Sequence, residues 1–94
     1  MDKLEAVQEI MRLSIEINGV DEDRFAMGRK PCVMIHFLGS VGGLSINVYR
    51  YGLDHSKKAD YNFFTHTDTA DIEKLTDCIE YLEAVMVELQ SEAA

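Results

Sequence analysis

Three histidines, two cysteines, one serine between glycines and a run of acids are the residues of this chain that could carry chemistry. His36 and His66 sit in segments where residues alternate between apolar and polar, so both can reach one face of a sheet. His55 follows Asp54 in a polar loop. Zinc takes three or four protein ligands, and no thiol or carboxylate is spaced to complete a set around two imidazoles. No metal and no cofactor are expected. Cys32 and Cys78 lack the basic surroundings that lower a thiol pKa and make it a nucleophile. One precedes a strand and the other falls on a packed helix; they could approach each other, but small buried apolar residues are the expected role. Ser40, in Gly39-Ser40-Val41-Gly42-Gly43, joins two strands, whereas a nucleophile turn leads from strand to helix. The same glycines lack the Gly-Lys-Ser/Thr of a phosphate loop. Asp21-Glu22-Asp23 lacks the alternation, central glycine and distant glutamate of a calcium loop. The chain is therefore expected to bind rather than to catalyse.

The acids are more informative. The 94 residues carry a net charge of −8. Residues 1–60 hold nine acids and eight bases; residues 61–94 hold eight acids and only Lys74. Glu73, Asp77, Glu80, Glu83 and Glu88 share one side of a C-terminal helix. Exposed helix faces commonly interleave bases for i,i+4 pairing, and this one does not. A negative ribbon of this kind suits a basic protein surface and would speed encounter with it. Direct binding of nucleic acid through a cationic surface is excluded by the same balance.

Five elements must position these groups. Residues 2–17 read as a helix with two adjacent apolar stripes: Leu4, Val7, Met11 and Ile15 beside Ala6, Ile10, Leu13 and Ile17. So wide an apolar sector calls for two neighbours, and a second copy of the chain is one candidate. Asn18-Gly19 ends the helix. A polar connection runs to Pro31. Residues 32–38, 44–51 and 61–66 read as strands joined by a glycine turn and by a polar loop over 52–60. Asp68 or Thr69 is expected to cap the last helix, with Asp71 in its first turn. That helix repeats Ile72, Leu75, Ile79, Leu82, Met86 and Leu89 at spacings of three and four, as expected of a helix lying on a sheet; the three heptads are too few for a coiled coil. The order α-β-β-β-α predicts a single α+β domain over residues 1–94: a two-layer sandwich, a three-stranded antiparallel meander with both helices on one face. No stretch reads as a secretory leader or as a membrane span, so a cytoplasmic protein with no membrane partner is expected.

Strand alternation assigns the faces. Val33, Ile35, Phe37, Leu44, Ile46, Val48, Tyr61 and Phe63 should face the helices. Met34, His36, Leu38, Asn47, Tyr49, Tyr51, Asn62, Phe64 and His66 should face away, although a one-residue slip in the third strand would exchange Phe63 and Phe64. Sheet faces that meet only water favour Thr, Lys, Glu and Ser. Aromatics, imidazoles and amides mark a surface that touches something.

In element order the chain resembles double-stranded RNA-binding domains. Those domains hold phosphates with lysines at the start of the last helix, and DTADIEK (residues 68–74) is acidic there, so that activity does not carry over. In size, acidity and layout it is also similar to phage-encoded inhibitors, including anti-CRISPR proteins that imitate DNA. The expected function is a small acidic interaction protein, an inhibitor or adaptor of anti-defence type. It would bind a protein partner, such as a basic nucleic-acid-binding protein, through the acidic helix, the outward sheet face or both. The alternatives are a small-molecule site on His36, Asn47, Tyr49, Tyr51, Phe64 and His66, and a homo-oligomer closed over the outward face.

Overall fold

The computed structural model describes residues 1–19, 31–40, 42–52, 58–69 and 71–93. Its order is α1 (Lys3–Asn18), β1 (Cys32–Leu38), β2 (Gly43–Tyr49), β3 (Tyr61–His66) and α2 (Ile72–Ala93). The expected α+β arrangement is the one observed: an antiparallel sheet in the order β1-β2-β3, with both helices on one face. Expectations for the connection at 20–30, including Asp21-Glu22-Asp23, and for Asp54-His55 lie outside the described residues.

α1 begins at a capping box. The Asp2 carboxylate accepts from the Glu5 amide at 2.8 Å, and the Glu5 side chain accepts from the Asp2 amide at 3.3 Å. The Glu5 amide holds the Asp2 carboxyl below its ordinary pKa. Gly19, at φ 87°, ends the helix in a backbone region that residues with a Cβ rarely adopt. α2 starts later than expected. Asp71, rather than Asp68 or Thr69, stands before it: its carboxylate accepts from the Glu73 amide at 3.1 Å, and its carbonyl receives the Lys74 amide at 3.0 Å. Thr69 instead closes a turn, its amide donating to the His66 carbonyl at 3.2 Å.

The core is built from Ala6, Ile10, Leu13 and Ile17 of α1, Val33, Leu44, Ile46 and Val48 of the sheet, and Leu75, Cys78, Ile79, Leu82 and Val85 of α2. The seam of α2 thus lies against the sheet and α1, as the spacing indicated. In the register Ile46 stands between Ile35 and Phe63, so Phe63 faces the helices and Phe64 faces away. Ser14, the one buried polar residue among those described, returns its hydroxyl to the Ile10 carbonyl at 2.7 Å.

Two apolar assignments are corrected. Phe37 has the helix-side register position but is 62% exposed. Of the two α1 stripes only the second is buried; Leu4, Met11 and Ile15 remain exposed, and Val7 packs at the margin of the core. Both follow from the path of α1. At its C-terminal end Asn18 is bonded to β1 at Val33, and at its N-terminal end the Lys3 ammonium reaches the Asp68 carbonyl beyond β3, at 3.2 Å. A helix crossing the sheet on that diagonal leaves the Phe37 corner of β1 uncovered.

Asn18 holds that crossing in place. Its amide nitrogen donates to the Val33 carbonyl at 2.9 Å, and its oxygen accepts from the Val33 amide at 2.8 Å. Asn18→Ala strands both backbone groups on a half-buried strand end. The expected loss is about 1–3 kcal/mol in a urea titration, and a change within error would show that water replaces the side chain.

Candidate functional site

Two surfaces collect the residues singled out from the sequence. The first is the outer face of α2. Glu73, Asp77, Glu80, Glu83 and Glu88 are all exposed there. Glu88 differs from the others: its carboxylate meets the Arg50 guanidinium at 2.7 Å. Arg50 also lies over the Tyr81 ring, 5.5 Å from its centroid, and Tyr81 stacks on Tyr61 with centroids 4.0 Å apart. The pairing that neutralises Glu88 was not legible in the sequence, because the two residues are 38 positions apart. Glu73, Asp77, Glu80 and Glu83 have no ion-pair partner among the described residues. Beside Glu83, across the groove between the helices, Arg12 is already held by Glu9 and, at 2.7 Å, by Glu16. Those two carboxylates also raise the pKa of its guanidinium.

The second surface is the face of the sheet away from the helices. The register lines up Met34, Asn47 and Asn62 across the three strands, likewise His36, Ser45 and Phe64, and Leu38, Gly43 and His66, and it sets Cys32 beside Tyr49. At one end these residues form a small apolar platform. The Phe64 ring lies across Gly43, where an added Cβ would stand 3.2 Å from Cζ, and Leu38 closes the other side. The His66 ring meets Phe64 edge-on at 5.2 Å. Phe64 is 55% and Leu38 49% exposed.

One expectation for this face is corrected, and two approaches that the sequence left open do not occur. Tyr51 is not part of it. β2 ends at Tyr49, the Gly52 amide turns back to the Tyr49 carbonyl at 3.3 Å, and Tyr51 stands 75% exposed beside Val87, Glu88 and Ser91 of α2. His36 and His66 share the face but do not converge. β2 lies between their strands, which spaces them by about 9–10 Å laterally. Cys32 and Cys78 do not approach either, since Cys32 is on the outward face and Cys78 is buried beneath the helices. Among the described residues no three metal-ligating side chains gather, and no described helix is long and apolar enough to cross a membrane.

Cys78 lies instead against Tyr61. Burial drives the thiol up to about 11, partly offset by its hydrogen bond with the Tyr61 hydroxyl. Burial, followed by the neighbouring thiol, drives the phenol up to about 12. Both groups are therefore neutral near pH 7.

No family model matches the chain, and no curated protein or solved structure is found similar to it.

Proposed function

We propose that the protein acts by binding, as a small cytoplasmic inhibitor or adaptor whose acidic α2 face docks on a basic surface of a protein partner. A nucleic-acid-binding protein of the kind targeted by anti-defence inhibitors is the partner this chemistry suits best. The observation that carries the reading is the row Glu73, Asp77, Glu80 and Glu83, exposed and without ion-pair partners among the described residues. A rise of 1.5 Å per residue spreads four carboxylates over about 15 Å, or one charge every 5 Å or so. One strand of DNA presents a charge about every 3.4 Å along the helix axis, so the linear charge density is of the same order. A surface shaped to grip a phosphate backbone would meet a similar field here, on a rigid support anchored by Leu75, Ile79 and Leu82.

The test is reversal of two charges, Glu80→Lys with Glu83→Lys, in affinity capture with and without competing duplex DNA. The wild type should retain proteins that DNA displaces. The variant should lose at least about tenfold in affinity, mainly through slower association, with a shallower salt dependence. Its melting temperature should stay near that of wild type, since both side chains are exposed and unpaired. Equal capture and equal salt dependence would remove this reading.

The platform of Leu38, Gly43, Phe64 and His66 favours a second reading, in which the outward sheet face binds a small molecule or an apolar element of a partner. Phe64→Ser in the same assay separates the two. Loss of binding there, with the lysine variant unaffected, transfers the function to the sheet.

A further inference from the structure

We propose that the outer edge of β1, unpaired among the described residues, together with the apolar flank of α1 beside it, pairs with the same surface of a second copy, joining two sheets through antiparallel β1 strands. The surface lies apart from the acidic face of α2, and the proposal does not depend on what that face binds.

The edge comes first. The backbone N–H and C=O of Val33 point away from β2, because both are taken by the Asn18 side chain. Alternation along an antiparallel strand sends the backbone groups of Ile35 and Phe37 the same way. Those four groups have no partner among the described residues. β1, CVMIHFL, has no charge and no proline, the devices that natural edges use against pairing. Beside this edge stand two α1 residues left outside the core. Met11 and Ile15, in the half of α1 next to Asn18, lie within about 60° of it around the helix axis and so on the flank toward the β1 edge. Met11 is 45% and Ile15 46% exposed, and Phe37, 62% exposed, stands at the uncovered corner of β1.

The arrangement fits a copy of itself. A two-fold axis at His36 sets Ile35 of each chain against Phe37 of the other, so that the four open groups of each edge meet their complements. Asn18 closes the outer edge at Val33, opposite the point where the other copy reaches Gly39. β1 ends at Leu38, so that copy turns away where Asn18 begins. A longer extended peptide from another protein would run on into Asn18. Charge distinguishes the two edges of the sheet as well. Asp60 and Asp77 flank β3 and would repel a copy there, while Glu9, Arg12 and Glu16 of α1 line the groove toward α2. A contact of one strand pair and a few apolar side chains is weak and transient, so dissociation in the micromolar range is expected.

The full chain should be followed by sedimentation equilibrium from about 5 to 500 µM, with amide hydrogen exchange at both ends of that range. The expected result is a dimer at the upper end, with protection of the Ile35 and Phe37 amides rising with concentration. Phe37→Lys and Met11→Lys, both at exposed positions, should weaken association by at least about tenfold, whereas Phe64→Lys and Glu80→Lys should leave it unchanged. A monomer at every concentration overturns the proposal. So does a dimer that survives Phe37→Lys but not Phe64→Lys, or a dimer in which those two amides gain no protection.

Discussion

Leu82→Ala should lower the stability of the protein by about 3 kcal/mol, a large share of the roughly 5–15 kcal/mol that holds a domain of this size. Leu82 is fully buried at the centre of the α2 seam, with α1 residues on one side and the sheet on the other. Truncation removes transfer free energy and leaves a cavity between two layers that cannot both collapse into it. At about 4–8 °C per kcal/mol, the melting temperature should fall by some 12–24 °C. Met11→Ala deletes a side chain of similar size from a helix with an equally convincing apolar pattern, yet should cost no more than about 0.5 kcal/mol in dilute solution, because Met11 is exposed. Urea titrations of the two variants, side by side at low micromolar concentration, check the assignment of the α1 stripes. Equal losses would show that the Leu4–Met11–Ile15 stripe is covered within one chain.

The second large effect is alkaline. Folded Cys78 titrates near 11 against an ordinary thiol value of 9.0, and folded Tyr61 near 12 against 10.0. Both values are raised, so between the ordinary and the folded values the unfolded chain has released protons that the folded chain keeps. Unfolding therefore becomes easier as pH rises through that window. Stability should be level up to about pH 9 and then fall by at least about 2 kcal/mol by pH 11–12, most of it from the fully buried thiol. Cys78→Ala should be less stable at neutral pH through its cavity, but its alkaline decline should be visibly shallower. A parallel decline in the two proteins would assign the limb to other groups. The same burial predicts the thiol count: half-buried Cys32 reacts with a thiol reagent in the native protein, and Cys78 only after unfolding.

How far the fold could be read in advance differs from element to element. The period-2 alternation of residues 44–48 and the three-four spacing of α2 were decisive, because each pattern buries one face only in its own element type. The acidic row on α2 was legible for the same reason, since positions three and four apart share a helix face whatever the helix packs against. Local chemistry placed the end of α1 at Asn18-Gly19. It set the α2 cap too early, at Asp68 or Thr69 with Asp71 inside the first turn, because each of the three can accept an amide and the outcome depends on where the chain leaves the His66 turn.

Composition and spacing by themselves determined the element types, their order, the outward acids of α2 and the division of the sheet into two chemically different faces. These are properties of periodicity and of residues close together in the chain. The tertiary structure decided which of two apolar stripes on α1 enters the core, that Phe37 stays outside it, that Tyr51 leaves the sheet for α2, and that Arg50 neutralises Glu88. Each of these depends on the angle at which α1 crosses the sheet or on the turn after Tyr49. Both are set by contacts between residues far apart in the chain: Asn18 with Val33, Lys3 with Asp68, and Arg50 with Glu88.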